Sequence, residues 1–331
     1  MRVRRLGRTG LKVSELCLGT MTFGNQADEQ ASFAIMDRAF DAGVFFFDTA
    51  DVYPVMPKPE TVGRSEEIIG RWLKGKRDTI VLATKLRGKM GPGANDVGLS
   101  RGHMMQAVEA SLRRLQTDHI DLYQVHSFDQ ETPIEETLRG LDDLIHSGKV
   151  RYIGCSNVAA WQLMKANGTS ERLHLTRFDS IQPRFNLFDR QIERELLPLC
   201  AEEGVGVIPY SPLGGGLLTG KYRRGSEPPP ESRYILFGRQ SQITPSVLDA
   251  LDELADLAHH KGVSMAQLTL AWVLANPLIT SPIVGATRPE QLDDSLPAVD
   301  VRLTEEELKR CDQISQIAEG RRQPEAAGSR G

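Results

Sequence analysis

The chain of 331 residues has few cysteines, little net charge and no long hydrophobic run. Its four cysteines lie far apart without a C-x-x-C pair, which argues against a disulfide framework and a zinc site. A net charge of −4 argues against the basic surface of a nucleic-acid-binding protein. No apolar run approaches the ~20 residues of a transmembrane helix, and no signal-peptide pattern opens the chain. We therefore expect a cytoplasmic protein without nucleic-acid or membrane partners.

Short apolar segments alternate with amphipathic segments along nearly the whole chain. Eight apolar segments have the length of buried strands, and helix signals lie between them. These signals are caps at Asp28 and Ser65 and capping boxes that begin at Thr132 and Ser264. Further helices are predicted to start at Ser100 and at Thr304-x-x-Glu307. Strands that alternate with helices, without a linker between halves, predict an α/β protein with one (β/α)8 TIM barrel over residues 1–318. A doubly wound sheet is the alternative.

The two ends of the chain depart from this alternation. Short strand patterns on either side of Gly7-Arg8-Thr9-Gly10 predict an N-terminal β-hairpin. Helical patterns after residue 289 predict extra C-terminal helices. Residues 319–331 are polar and rich in small side chains, so we expect a disordered tail there.

Four polar side chains follow three successive predicted strands. The apolar run at residues 45–47 ends at Asp48, and Tyr53 lies in the next loop. Lys85 ends the following strand, and His126 follows the strand after that. Because consecutive strands of a parallel barrel are neighbours, these side chains should meet at the C-terminal rim. A turn cap and a structural ion pair would also explain Asp48 and Lys85, but the added tyrosine and imidazole favour a catalytic site.

Two glycine-rich segments resemble the sequence motif of a phosphate-binding loop. Residues 70–76 and 215–221 both read G-x-x-x-x-G-K, but Arg77 and Tyr222 replace the Ser or Thr that holds magnesium. This substitution argues against a nucleotide hydrolase, and no G-x-G-x-x-G motif indicates a Rossmann turn. The second segment remains a loop whose backbone can approach a pyrophosphate. A dinucleotide would therefore have to bind to barrel loops.

Ordered motifs along nearly the whole chain resemble those of the aldo-keto reductases. They include Asp48-Thr49-Ala50-x-x-Tyr53, Gly63-Arg64-Ser65-Glu66, Thr84-Lys85, Asp121-Leu122-Tyr123-x-x-His126, Gly154-x-Ser156-Asn157, Tyr210-Ser211-Pro212-Leu213 and Gly285-Ala286-Thr287-Arg288. The resemblance is to a bacterial branch with a longer loop after the tyrosine, here residues 54–62. It implies a TIM barrel that reduces aldehydes or ketones with NADPH bound along the C-terminal rim.

The resemblance also implies a catalytic tetrad of Asp48, Tyr53, Lys85 and His126. Tyr53 would act as the general acid, although a free tyrosine has a pKa near ~10. Lys85 would make that hydroxyl more acidic, and Asp48 would hold the lysine. His126 would orient the carbonyl group. No metal is required, because the proton donor polarises the carbonyl.

The implied NADPH contacts are spread along the chain. Ser156, Asn157 and Gln182 would hold the nicotinamide carboxamide, and Tyr210 would stack on the ring. The remaining contacts are Ser211, Leu213, Gly216 and Lys221 at the pyrophosphate; Arg233, Thr287 and Arg288 at the 2′-phosphate; Gln291 and Asp294 near the adenine and ribose; and Thr20, Met21, Asp48, Pro212 and Gly285 without an assigned part. Ser295 stands where relatives often carry asparagine.

Two other functions stay open from the sequence. Lys85 at a strand end could form a Schiff base in an aldolase-type lyase. A non-catalytic NADPH-binding regulatory subunit is the second alternative, because some relatives associate with ion channels. The expected partner is a small carbonyl substrate, and the oligomeric state is left open.

Overall fold

The computed structural model describes residues 1–320, which form two compact units. Unit 1 comprises Met1–Arg184, Gln191–Tyr210 and Pro277–Asp293, and unit 2 comprises Phe185–Arg190, Ser211–Asn276 and, of the described residues, 294–320. A single domain over residues 1–318 stays a prediction. The predicted disordered tail, apart from residues 319 and 320, lies outside the described residues.

Unit 1 contains a hairpin and a parallel barrel. Its strands are β1 (Val3–Arg5), β2 (Lys12–Ser14), β3 (Cys17–Gly19), β4 (Phe46–Asp48), β5 (Val81–Leu86), β6 (Ile120–Val125), β7 (Val150–Ser156), β8 (Ser180–Gln182), β9 (Gly206–Val207) and β10 (Ile283–Gly285). β1 and β2 pair antiparallel, and the other eight form a parallel sheet in the order β10-β3-β4-β5-β6-β7-β8-β9. Parallel bridges from Val207 to Ile279 and from Tyr210 to Ile283 join its two edges. The predicted (β/α)8 TIM barrel with an N-terminal hairpin is confirmed.

Helices fill most of the connections between these strands. They are α1 (Glu29–Asp41), α2 (Arg64–Trp72), α3 (Arg101–Leu115), α4 (Ile134–His146), α5 (Ala160–Leu173), α6 (Leu196–Glu203), α7 (Arg233–Leu236), α8 (Pro245–Lys261), α9 (Met265–Ala275), α10 (Glu290–Ser295) and α11 (Glu305–Ala318). Asp28 caps α1, and Ser100 caps α3. Capping boxes at Ser264 and Thr304 open α9 and α11. The expected C-terminal helices are therefore present.

Two of the predicted helix caps are wrong. α2 begins after Gly63 at φ 86°, while Ser65 lies inside the first turn and donates its hydroxyl to the carbonyl of Phe23 (2.8 Å). α4 has no side-chain cap, because the Thr132 hydroxyl donates to Asp129 (2.8 Å). Both hydroxyls bind partners that a local helix pattern does not contain.

The barrel interior is filled by an apolar layer below the C-terminal rim. The cluster includes Cys17, Phe46, Ala83, Leu122 and Ile283, one from each of five strands, and Ile208, which directly follows β9. Side chains two residues apart on a strand point to the same face. Asp48, Lys85 and Gln124 each lie two residues beyond a member of this layer, so they face the interior at the next level. Sheet geometry alone thus brings these polar groups together.

Unit 2 contains a turn of 3₁₀ helix at Gly214–Thr219, the helices α7, α8 and α9, and α11. Two ion pairs join α8 to α11. Lys261 donates to Glu307 (2.8 Å), and Arg310 pairs with Glu253. Within residues 1–320, none of the helices is long and apolar enough to cross a membrane.

Candidate active site

A buried ion pair lies at the centre of the rim. The side chain of Lys85 is inaccessible to solvent, and its Nζ donates to Asp48 Oδ1 (2.5 Å) and to the carbonyl of Thr49 (2.8 Å). The same Nζ lies 3.4 Å from the Tyr53 hydroxyl. Burial by itself would lower the pKa of Lys85, but the negative charge of Asp48 and the Tyr53 oxygen outweigh it and raise the pKa. The lysine is therefore held as an ammonium beside the phenol.

Asp48 accepts hydrogen bonds from three side chains. Its Oδ1 accepts from Lys85, and its Oδ2 accepts from Gln124 Nε2 (2.9 Å) and Gln182 Nε2 (2.8 Å). Gln182 also donates to Gln124 Oε1 (3.1 Å). These donors lock the carboxylate in one orientation. Gln124 was not predicted as a site residue, although an amide in the apolar run of β6, two residues before His126, was a usable signal.

His126 follows β6 and faces the predicted proton donor. Its ring lies 5.7 Å from the Tyr53 ring in an edge-on arrangement. Burial lowers the pKa of His126 to about 3, and the positive charges of Lys85 and Arg87 add to that shift. The imidazole is therefore neutral at neutral pH, and it can donate one hydrogen bond without carrying a charge.

We expect the His126 imidazole not to titrate between pH 8 and pH 5. An unfolded chain binds a proton at a histidine near pH ~6.5, whereas the folded site resists protonation until about pH 3. His126 therefore lowers the free energy of unfolding as the pH falls below ~6.5, by up to ~1.4 kcal/mol per pH unit. Nitrogen-15 NMR of histidine-labelled protein measures the titration, with His126→Gln assigning the resonance. A midpoint near pH 6.5 would contradict the expectation.

Side chains from β7 and from the segments after β7 and β9 extend the network along the rim. The Ser156 hydroxyl donates to the carbonyl of Gln182 (2.8 Å), and Asn157 Nδ2 donates to Ser156 Oγ (2.9 Å). Tyr210 Oη donates to Asn157 Oδ1 (2.9 Å). The structure thus brings four of the predicted cofactor contacts together, and Gln182 links them to Asp48.

Other predicted contacts in unit 1 lie near β3, β4 and α10. The Thr20 hydroxyl donates to the carbonyl of Asp48 (3.0 Å). The N–H of Thr287 donates to Gln291 Oε1 (2.8 Å), which shapes the turn before α10. Arg288 is exposed, and its guanidinium has no hydrogen bond or ion pair within residues 1–320. Gly285 is exposed at the end of β10.

The insertion at residues 54–62 starts and ends at the active rim. The N–H of Val55 donates to the carbonyl of Met21 (2.8 Å), a predicted cofactor contact. At the other end, the N–H of Gly63 donates to the carbonyl of Tyr53 (3.1 Å). The insertion is therefore tied to the backbone of the predicted proton donor.

The remaining predicted contacts lie in unit 2. They are Ser211, Pro212, Leu213, Gly216, Lys221, Arg233 and Asp294. Ser211 and three successive glycines, Gly214 to Gly216, have positive φ angles. A Cβ at Gly216 would lie 2.6 Å from Lys221 Nζ, so the ammonium lies directly against a backbone without a side chain. The Arg233 guanidinium lies over the Phe237 ring at 5.5 Å.

A cleft of about 370 Å³ lies at the N-terminal ends of the strands, away from the tetrad. Arg77 and Arg151 line it, and both donate to Asp121 (2.7 and 3.0 Å). Arg77 also donates to the backbone carbonyls of Ile80 and His119. Because these charges already hold the strand ends together, we assign the cleft a structural role.

A model of the Aldo/keto reductase family matches residues 15–316. The chain belongs to this family. Members use nicotinamide cofactors, so this aldo/keto reductase is an oxidoreductase. The match spans the strand ends at which Asp48, Tyr53, Lys85 and His126 lie.

Several relatives match nearly the full length of this aldo/keto reductase. An "Uncharacterized oxidoreductase YrpG" of Bacillus subtilis is 42% identical, over 93% of this chain and 94% of its own. A "Probable voltage-gated potassium channel subunit beta" of Arabidopsis thaliana is 40% identical, over 96% and 97%. A "Versiconal hemiacetal acetate reductase" of Aspergillus parasiticus is 36% identical, over 93% and 95%.

Proposed function

We propose that this aldo/keto reductase reduces a small aldehyde or ketone with NADPH and that Tyr53 supplies the proton. The observation that carries the proposal is the Lys85 ammonium, 3.4 Å from the Tyr53 hydroxyl and paired with Asp48. A cation at ~4 Å stabilises a tyrosinate by at most ~4 kcal/mol at an effective dielectric of ~20, and Asp48 offsets part of this. The remainder makes Tyr53 a stronger acid.

The residues of the rim have separate roles in the proposed reaction. A bound nicotinamide would supply the hydride to the carbonyl carbon. His126, neutral at working pH, donates a hydrogen bond that orients the carbonyl oxygen. Tyr53 gives its proton to that oxygen as negative charge develops, and Lys85 stabilises the tyrosinate that is left.

The cofactor contacts of unit 1 fit a nicotinamide ring and a phosphate. Both amide hydrogens of Gln182 are already donated, to Asp48 and Gln124, so Gln182 would bind a carboxamide through Oε1. Tyr210 lies beside Asn157 and would cover the ring. Arg288 has an uncommitted guanidinium at the turn before α10, which suits the dianionic 2′-phosphate of NADPH.

The ion pair disfavours the lyase alternative. A Schiff-base lysine must lose its proton before it attacks a carbonyl carbon. Lys85 instead has a raised pKa and donates to two oxygen atoms besides the phenol. Its ammonium has no free electron pair, so the arrangement supports acid catalysis through Tyr53.

The names of two relatives favour a second candidate, a regulatory subunit that binds NADPH. Relatives from Arabidopsis thaliana and Oryza sativa are both named probable voltage-gated potassium channel subunits beta. Turnover distinguishes the two candidates. A reductase consumes many equivalents of NADPH in the presence of excess aldehyde, whereas a non-catalytic subunit leaves NADPH unoxidised.

The direct test is a panel of aldehydes and ketones assayed by the loss of NADPH absorbance, with NADH in parallel. We expect multiple turnovers with at least some aldehydes and a higher kcat/KM with NADPH. Failure of every carbonyl compound to stimulate NADPH oxidation, in protein that binds NADPH, would favour the regulatory candidate. Higher kcat/KM with NADH would refute the cofactor assignment.

We expect Arg288→Ala to weaken NADPH binding by ~1.5 to 3 kcal/mol and to leave NADH binding nearly unchanged. The reason is that only NADPH carries the 2′-phosphate. Quenching of tryptophan fluorescence measures both affinities. Arg139→Ala is the matched control, because Arg139 is also exposed but lies on α4. Equal losses for the two cofactors would show that Arg288 does not read the 2′-phosphate.

A further inference from the structure

Arg87 lies at the active rim in a strained backbone conformation. It follows the end of β5, two residues after Lys85. Its φ of 111° is one that a residue with a side chain rarely adopts. β5 lies between β4, which carries Asp48, and β6, which leads to His126. Strain of this kind is kept where the position of a side chain matters.

The guanidinium of Arg87 is not used to hold the fold together. Its Nε is buried without a hydrogen-bond partner, and no hydrogen bond or ion pair of the group is found in residues 1–320. Asp129 is a candidate partner, because the charge of Arg87 acts on its carboxylate, but its oxygens already accept from the N–H groups of Leu99 and Glu131 and from the Thr132 hydroxyl. An arginine has five donors, so Arg87 has ample capacity for a ligand.

The charge of Arg87 reaches the reaction centre. It helps to lower the pKa of His126, and it also lowers the pKa of Asp129. The charge of Lys85 is cancelled by Asp48, whereas Arg87 has no ion-pair partner in the described chain. The rim on the β5 side therefore presents a cation that has no ion-pair partner within residues 1–320 and whose charge acts on the imidazole that orients the carbonyl.

We propose that Arg87 binds a carboxylate of the substrate, so that the preferred substrates are aldehydes or ketones that also carry a carboxylate. This inference rests on the proposed reductase function. A guanidinium binds a carboxylate through two parallel hydrogen bonds, and this geometry fixes orientation as well as affinity. The contact would hold the substrate at one end while Tyr53 and His126 act on the carbonyl at the other.

A pair of aldehydes that differ only in charge tests the proposal. 4-Carboxybenzaldehyde carries the carboxylate, and methyl 4-formylbenzoate is its neutral ester. We expect Arg87→Met to lower kcat/KM for the acid by ~10- to 100-fold and to change that for the ester by less than ~3-fold. Arg87→Lys should restore part of the loss. Arg87→Gly, which adopts φ 111° without strain, should repeat the selective loss if the methionine variant folds poorly.

Lys89→Met is the matched control, because it removes an exposed positive charge two residues further along the same loop. It should leave both substrates nearly unchanged. Equal loss for acid and ester in Arg87→Met, together with a new acidic limb in the pH profile, would mean that Arg87 acts through His126 and would overturn the proposal. A wild-type preference for the ester would overturn it as well.

Binding without turnover separates this inference from the proposed function. Titration calorimetry with 4-(hydroxymethyl)benzoate and its methyl ester, on protein saturated with NADPH, measures the carboxylate contact directly, because an alcohol and a reduced cofactor cannot react with each other. We expect the carboxylate to bind at least ~10-fold more tightly in the wild type and not in Arg87→Met. If neither aldehyde is reduced but this difference appears, the reductase function fails and the carboxylate site stands. If the aldehydes are reduced but the two alcohols bind with equal affinity, the proposed carboxylate site is refuted and the reductase function stands.

Discussion

Replacing Tyr53 with phenylalanine is expected to lower the kcat of carbonyl reduction by at least ~100-fold, the lower end of a general-acid contribution. The ring packing against His126 is kept, so NADPH affinity should change little. What is lost is the hydroxyl 3.4 Å from Lys85, the group placed to protonate the developing alkoxide. Steady-state rates at saturating NADPH measure the effect.

The control for this change is Tyr123→Phe. The Tyr123 hydroxyl is buried in β6 and has no hydrogen-bond partner among the residues that the structure describes, so its removal should leave the rate unaltered. A double variant with Lys85→Met adds a second check. Because Lys85 works through the tyrosine, Tyr53→Phe with Lys85→Met should cost little more than Tyr53→Phe alone. Additive losses, or nearly normal kcat in Tyr53→Phe, would mean that the proton comes from another group.

Replacing Asp48 with asparagine is expected to lower the free energy of unfolding by ~3 to 5 kcal/mol and to abolish most activity. The ammonium of Lys85, fully buried, would lose its counter-charge. An asparagine also has one oxygen where Asp48 uses two, so its amide group would face either Lys85 or the amides of Gln124 and Gln182. Urea unfolding monitored by circular dichroism measures the stability.

Two further variants separate charge from packing at this site. Asp143→Asn is the control, because Asp143 pairs with Arg101 at a half-exposed position and should cost at most ~1 kcal/mol. Adding Lys85→Met to Asp48→Asn removes the uncompensated charge, so it should recover part of the stability without activity. A loss below ~1 kcal/mol in Asp48→Asn would mean that the ion pair is not what stabilises the rim.

The local pattern predicted much of the barrel correctly. The apolar periodicity of strands and helices and the caps at Asp28 and Ser264 depend only on neighbours within a few residues. The corresponding strands, helices and caps are present in the structure. The two predicted caps that are wrong, Ser65 and Thr132, had the same kind of local sequence pattern as the correct ones. Their hydroxyls bind groups outside their own helices, and no helix pattern contains those partners.

By itself, the sequence determined that Asp48, Lys85 and His126 lie at or near the ends of neighbouring strands, because the order of strands in a parallel barrel follows the order of the chain. Only the tertiary structure determined the hydrogen-bond partners and the charge state of each group. Gln124 and Gln182 reach Asp48 from strands 76 and 134 residues away. The neutrality of His126 depends on burial and on the charges of Lys85 and Arg87. The donors of Arg87 have no partner within the described chain because nearby oxygens, such as those of Asp129, already accept from other groups. Such properties arise from distances in space, which a single sequence encodes only through the finished fold.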